Sequence, residues 1–231
     1  MLDGLMPAAG QRASLTTRAE KYAATVGAAA SYLAARGIDQ QAASSHLLGL
    51  VSDPEPQDER FRGWLSLPYV TAQGDVIAMK FRRLEGEGNK YDGPAGQKQH
   101  LYEARSLKDG GEVAALCEGE LDAIVAQKVL DIPCAATPGT QWLPHWPRCF
   151  SGFEKVLVIA DHDAKDDGSD PGRKHAEKVV KELGKHVSTV ELVLPPAGMD
   201  FTDWVKAVGE DVVRERVLGL QPEPDYGRPP Y

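Results

Sequence analysis

The 231-residue sequence predicts an α/β protein: a mostly parallel central sheet flanked by helices, preceded by a smaller α+β lobe. Three observations carry this. From residue 111 onward, short apolar runs alternate with helix-like stretches, the rhythm of a parallel sheet covered on both faces. Before them, two apolar runs flank Gln73-Gly74-Asp75, where glycine permits a tight hairpin turn. A hydrophobic content of 42% is that of a globular chain able to bury one sizeable core or two small ones.

Taken in order, the spacing predicts a helix over 17–36, with Tyr22, Val26, Ala29 and Leu33 at three-and-four intervals and Gly37 as its stop. A short helix over 40–48 follows, and 52–60 reads as a polar, proline-containing connector. Pro68 marks the first hairpin strand as an edge or a bulge. The glycine-rich, basic stretch 86–99 has no periodicity and reads as a flexible loop. Strands are expected over 113–117, 134–137, 156–160 and 187–194. Helices are expected over 121–130, 172–183, 202–208 and 211–218, and the tail 221–231 reads as disordered. This divides the chain into a basic lobe (1–110), an α/β domain (111–208), and a helix with a tail (209–231). Trp64 and Trp204 belong to the core. Trp142, Trp146 and Phe150 suit core or lid packing, with stacking on a base as the alternative.

The net charge of −8 argues against a simple nucleic-acid coat, but its distribution is uneven. Residues 60–110 hold 9 Lys/Arg against 6 Asp/Glu, whereas residues 111–231 hold 13 against 21. A basic lobe beside an acidic one suits a protein that holds phosphates in one place and metal ions in another. Cys117, Cys134 and Cys149 form no C-x-x-C pair, which argues against a zinc site or a disulfide framework; they read as small buried hydrophobes of a reducing compartment. No stretch approaches the ~20 apolar residues of a membrane span, and the expectation is a soluble, cytoplasmic protein.

The chemistry is concentrated where strands end. Glu118 closes one apolar run, Gly119 lets the backbone turn, and Asp122 follows one helical turn later. Asp161 and Asp163 close the run 156–160 on either side of His162, which reads as exposed or as a support rather than a ligand. Asp200 and Asp203 follow a third strand. Loops beyond the carboxyl ends of parallel strands face solvent on a rigid base. Carboxylates gathered there repel one another and raise each other's pKa unless a cation neutralises them. Oxygen donors without Cys or His point to Mg²⁺, with Mn²⁺ as a substitute.

The run Glu118-Gly119-Glu120-Leu121-Asp122-Ala123, then Asp161-His162-Asp163, then Gly172 to Ala176, resembles the TOPRIM domain of bacterial-type primases, topoisomerases and some nucleases. The preceding segments YLAARGI, WLSLPYVTAQGDVIAMKFRRL and NKYDGPAGQKQHLYEA are similar to the lobe that precedes TOPRIM in DnaG-like primases, so the likeness runs from about Tyr32 to Val205. The resemblance implies a metal-dependent nucleotidyltransferase making RNA primers on a single-stranded DNA template from NTPs. Glu118, Asp161 and Asp163 would be catalytic, with Glu118 metal-bound or a general base. Asp122, Asp200 and Asp203 would complete the metal cluster. Lys90, Arg82, Arg83 and Lys98 would contact template or nucleotide phosphates.

Two features depart from the family pattern. The loop after Asp163 is long and carries Asp166, Asp167 and Asp170, read as an insertion. The cysteines leave no zinc ribbon and there is no G-x-x-x-x-G-K-[ST], so a stand-alone phage or plasmid form is expected, working with a replicative helicase or a separate zinc-ribbon protein. A TOPRIM nuclease and a non-catalytic DNA-binding scaffold are the alternatives.

Overall fold

The computed structural model describes residues 6–162 and 171–219. Its first lobe starts with α1 (Ala9–Ala23), a 3₁₀ turn (Val26–Ala29), α2 (Ala30–Ala34) and α3 (Gln40–Ser45). The single helix expected over 17–36 is thus corrected: it starts at Ala9 and breaks after Ala23. The break lets another segment cross. Thr25 Oγ1 lies 2.9 Å from the Tyr22 carbonyl and 2.7 Å from that of Leu50. At Gly49 a Cβ would stand 2.3 Å from the Tyr22 backbone, so only glycine permits that approach. Asp39 caps α3 by accepting from Ala42 N at 2.8 Å. The helix stops short of residue 48 because Leu47 adopts φ 53°.

Four antiparallel strands form the first sheet in the order β1 (Gly49–Leu50), β2 (Leu65–Val70), β3 (Val76–Arg82) and β4 (Tyr91–Asp92). The hairpin is as expected, with Gly74 at φ 92° in its turn and a register shift between Tyr69 and Val70. Pro68 lies opposite Met79, whose own N–H and C=O turn the other way to the Gln97 side chain, at 2.8 and 3.1 Å. Pro68 therefore costs no ladder bond. The loop expected over 86–99 contains β4, and beyond it the Gln97 amide presents a donor and an acceptor as a peptide would. The connector expected over 52–60 contains a 3₁₀ turn, Pro56–Phe61.

The second sheet follows from β5 (Gly111–Cys117), α4 (Glu120–Leu130), β6 (Cys134–Ala136), β7 (Phe153–Ile159), α5 (Pro171–Leu183), β8 (Thr189–Val193), α6 (Phe201–Val208) and α7 (Glu210–Leu218). Its order is β6-β5-β7-β8, and every pairing is parallel. One face packs on α4, α6 and α7, where Leu121, Ile124, Phe201 and Val213 share a core with Leu33, Leu48 and Leu67 of the first lobe. The other face packs on α5 and a 3₁₀ turn, Trp146–Phe150, through Trp146, Phe150, Val179 and Leu183. Trp146, Phe150 and Trp204 are buried, while Trp64 and Trp142 are partly buried against the cores. Cys117 and Cys134 are buried as expected, but Cys149 is exposed, because it lies on the outer side of its turn between buried Trp146 and Phe150. Among the described residues no helix is long and apolar enough to cross a membrane. The expectations for residues 163–170 and for the tail 221–231 lie outside the described residues.

Candidate active site

Parallel pairing in register brings the strand ends to one edge. Cys117 of β5 faces Ile159 of β7, which in turn faces Val193 of β8. The next residues, Glu118 after β5 and Ala160-Asp161 after β7, therefore leave adjacent strands side by side. Glu118, Thr137, Ala160 and His175 line one small cavity of about 20 Å³. The ends of β7 and β8 are stitched beyond the sheet: His162 N–H donates to Met199 O at 3.3 Å, Gly198 N–H to His162 O at 2.8 Å, and His162 Nδ1 lies 2.9 Å from Pro195 O. His162 thus acts as a brace between the Asp161 loop and the loop leading to Asp200.

Asp122 and Asp200 meet from opposite directions. Gly119 precedes α4 and its lack of a side chain makes room for Asp122, since a Cβ there would stand 2.7 Å from Asp122 Oδ2. Asp122 Oδ1 accepts from Thr202 Oγ1 at 2.6 Å and from Thr202 N at 3.2 Å, while Asp200 caps α6 by accepting from Asp203 N at 2.7 Å. Burial and then the Asp200 charge raise the Asp122 pKa, opposed by the two Thr202 bonds and by Arg36. At Cys117, burial raises the thiol pKa, and the charges of Cys134, Asp122 and Asp161 raise it further.

The remaining acids are placed differently. Asp203 is exposed and pairs with Lys206 at 3.0 Å, one turn along α6. Asp163 lies outside the described residues, as do Asp166, Asp167 and Asp170. Among the described residues, no three His, Cys, Asp or Glu side chains are arranged to hold a metal ion.

The cations of the first lobe have distinct surroundings. Lys90 is an exposed residue whose pKa is lowered by partial burial of its ammonium and by Arg82 and Arg36, with Asp200 and Asp122 pulling the other way. Arg82 is buried, at 4% exposure; its guanidinium donates to the hydroxyls of Tyr32 and Tyr91 and lies over both rings. Arg83 stacks 4.7 Å from the centre of the Trp64 ring. Lys98 lines a cavity of about 470 Å³ together with Tyr69, Lys80, Tyr91, His100 and Pro138.

Three contributors escaped the reading of the sequence. The Arg36 charge favours the ionised form of Asp122, and Thr202 holds its carboxylate. The third is a buried network: Glu120, 1% exposed, accepts from Lys80 Nζ at 2.5 Å and from Tyr69 O–H at 2.7 Å, and Lys80 also reaches Pro138 O at 3.2 Å and the Tyr91 ring at 4.4 Å. It joins β2 and β3 to the first turn of α4, beside Asp122. Glu120 is one of the variable positions in the E-G-x-x-D run, so no local signal marks it.

A parallel sheet with acids at the ends of β5 and β7, a helix cap after β8 and a preceding antiparallel lobe define a TOPRIM catalytic core. The Toprim domain family matches residues 113–211, and the chain belongs to it, with the fold of DnaG-type primase catalytic cores. It is 33% identical over 162 residues to the Gene 57 protein of Mycobacterium phage D29, a match covering 68% of this chain and 99% of that protein. It is 28% identical over 197 residues to the DNA primase of Halalkalibacterium halodurans, covering 81% of this chain but 32% of that one. The chain thus spans about a third of that bacterial primase. Its structure matches the zinc-binding and RNA polymerase domains of the Aquifex aeolicus primase with a TM-score of 0.73 at 20% identity, over 90% of this chain and 60% of that one.

Proposed function

We propose that the protein is a primase-type nucleotidyltransferase that synthesises short RNA primers on single-stranded DNA. The observation that carries this reading is the side-by-side exit of Glu118 and Ala160-Asp161 from adjacent parallel strands, with Asp122 held by Thr202 next to the Asp200 cap of α6; the Arg36 charge favours ionised Asp122, and the Asp122 and Asp200 charges favour protonated Lys90. Acids at the strand ends with cations in electrostatic reach suit a ligand carrying both divalent ions and phosphates. Its partners in this reading are single-stranded DNA, NTPs, and a replicative helicase or zinc-ribbon protein.

The chemistry of the donors, though not their arrangement among the described residues, suits a hard divalent cation such as Mg²⁺ or Mn²⁺. The donors are carboxylates, and burial beside Asp200 leaves Asp122 reluctant to ionise, a penalty that a bound cation removes. Glu118, Asp122, Asp161, Asp163 and Asp200 would hold it, and when bound it would supply activation of a 3′-hydroxyl and charge neutralisation at the leaving pyrophosphate. Asp203 would act at the rim. The chain's own residues do the positioning. Thr202 orients Asp122, and His162 fixes the Asp161 loop against the loop after β8. Lys90 and Lys98 would hold phosphates as point charges, and the planar Arg82 and Arg83 are suited to bidentate contact. In the described arrangement Arg82 is engaged by Tyr32 and Tyr91, so it would orient the Lys90-Tyr91 segment until a phosphate draws it out.

The test is incorporation of labelled NTP on single-stranded DNA by the wild type and by Asp161→Ala. Product made by the wild type and abolished in the variant is expected. Equal product from both, or shortening of oligonucleotides in place of synthesis, overturns the reading.

A further inference from the structure

Helix α5 carries four Lys/Arg and two Glu in a chain of net charge −8. Its buried side is Ala176, Val179 and Leu183, packed on the sheet. On the exposed side, Lys174, Lys178 and Lys181 recur at intervals of four and three, which places them on one face of an α-helix along about 10 Å. The acids of the helix make their ion pairs with other cations, Glu177 with Arg173 at 3.0 Å and Glu182 with Lys185 at 2.7 Å, while Lys181 and Lys178 act on Glu182 only through space. Lys174, Lys178 and Lys181 make no ion pair among the described residues, a state they share with Lys90, Lys98 and Lys108 of the first lobe, whereas Lys21, Lys80, Lys128, Lys155, Lys185 and Lys206 are paired.

The stripe begins beside the candidate site. His175, next to Lys174, lines the small cavity that also contains Glu118 and Ala160. The helix holds no Phe, Tyr or Trp, and its one imidazole, His175, lines the small cavity, so the lysine face offers charge alone. Backbone-only contact suits a duplex with stacked, inaccessible bases, whereas single strands are gripped through aromatic platforms.

We propose that Lys174, Lys178 and Lys181 form a track for the phosphate backbone of the primer–template duplex as it leaves the strand-end acids. The proposal rests on the synthetic reading above for the identity of the duplex, while its physical test does not depend on catalysis. Each lysine that neutralises a phosphate contributes about 0.9 to the slope of log affinity against log salt on a duplex.

The experiment measures binding of a short fluorescent RNA–DNA hybrid between about 50 and 200 mM salt by the wild type and by K174Q/K178Q/K181Q, with thermal melts to show that both fold. The slope is expected to be shallower in the variant by about 2 to 3, with weaker binding throughout at low salt. A single-stranded oligonucleotide of equal length is expected to show a smaller change. Equal slopes for the two proteins on the hybrid, no binding of the hybrid by the wild type, or an equal or larger change on the single strand overturns the track. Should the wild type make no oligonucleotide from NTPs and yet show the slope difference, the duplex-binding face stands and the synthetic reading falls.

Discussion

Replacing Lys80 with methionine removes the ammonium from the buried network that ties the hairpin to α4. Glu120 then keeps only the Tyr69 hydroxyl, with its side chain 2% exposed, and the Pro138 carbonyl loses its donor. Lys80 is itself only 18% exposed, so water compensates little. Removing one partner of a buried pair costs about 3–5 kcal/mol, because the other charge remains without compensation. For a chain of this size each kcal/mol lowers Tm by roughly 2–4 °C, so a fall of about 6–20 °C is expected in a circular-dichroism melt. The double variant Lys80→Met/Glu120→Gln removes both charges and should recover at least about 2 kcal/mol of that loss. A single variant within about 0.5 kcal/mol of wild type, or a double variant whose loss is the sum of the two single ones, refutes the coupling.

Asp122→Asn should make the protein more stable at neutral pH and inactive. Its folded-state pKa is raised, so the stability its protonated form supplies is present at low pH and lost as pH rises through the folded value. Urea titrations should therefore show the variant's advantage at pH 7 vanishing in acid. Gly119→Ala should push Asp122 aside, since the new methyl would stand 2.7 Å from its Oδ2; nucleotide incorporation should drop at least about tenfold for about 1–3 kcal/mol of stability. Lys90→Ala should lower kcat/KM for NTP by about ten- to a hundredfold through loss of one charge-assisted contact, without lowering Tm. Adding Mg²⁺ should raise the Tm of the wild type and not that of Asp122→Asn, because ligand binding to the folded state alone stabilises it.

The parallel sheet was legible because runs such as 113–117 and 156–160 are continuous and apolar, as strands buried on both faces must be. The acids were legible because they stand where those runs stop. Less was readable in the first lobe. The apolar periodicity of residues 17–36 continues across the break at Thr25, which is set by the crossing strand at Gly49. The strand Tyr91–Asp92 is too short for any alternation and exists because β3 offers an open edge at Phe81 and Arg82. Arg82, expected to contact template or nucleotide phosphates, is enclosed by Tyr32 and Tyr91, contributed from positions 50 and 9 residues away.

By itself, then, the sequence determined the alternation of strands and helices and the carboxylates at strand ends, since both depend on residues adjacent in the chain. Only the tertiary structure decided that Asp122 lies within reach of the Asp200 charge and is held by Thr202, that Asp203 turns out to Lys206, and that Lys80 is paired with Glu120 while Lys90 is exposed. Backbone hydrogen bonding is satisfied locally and leaves a periodic trace. The pairing of charges depends on which distant segments exclude water together, and no short stretch of sequence records that.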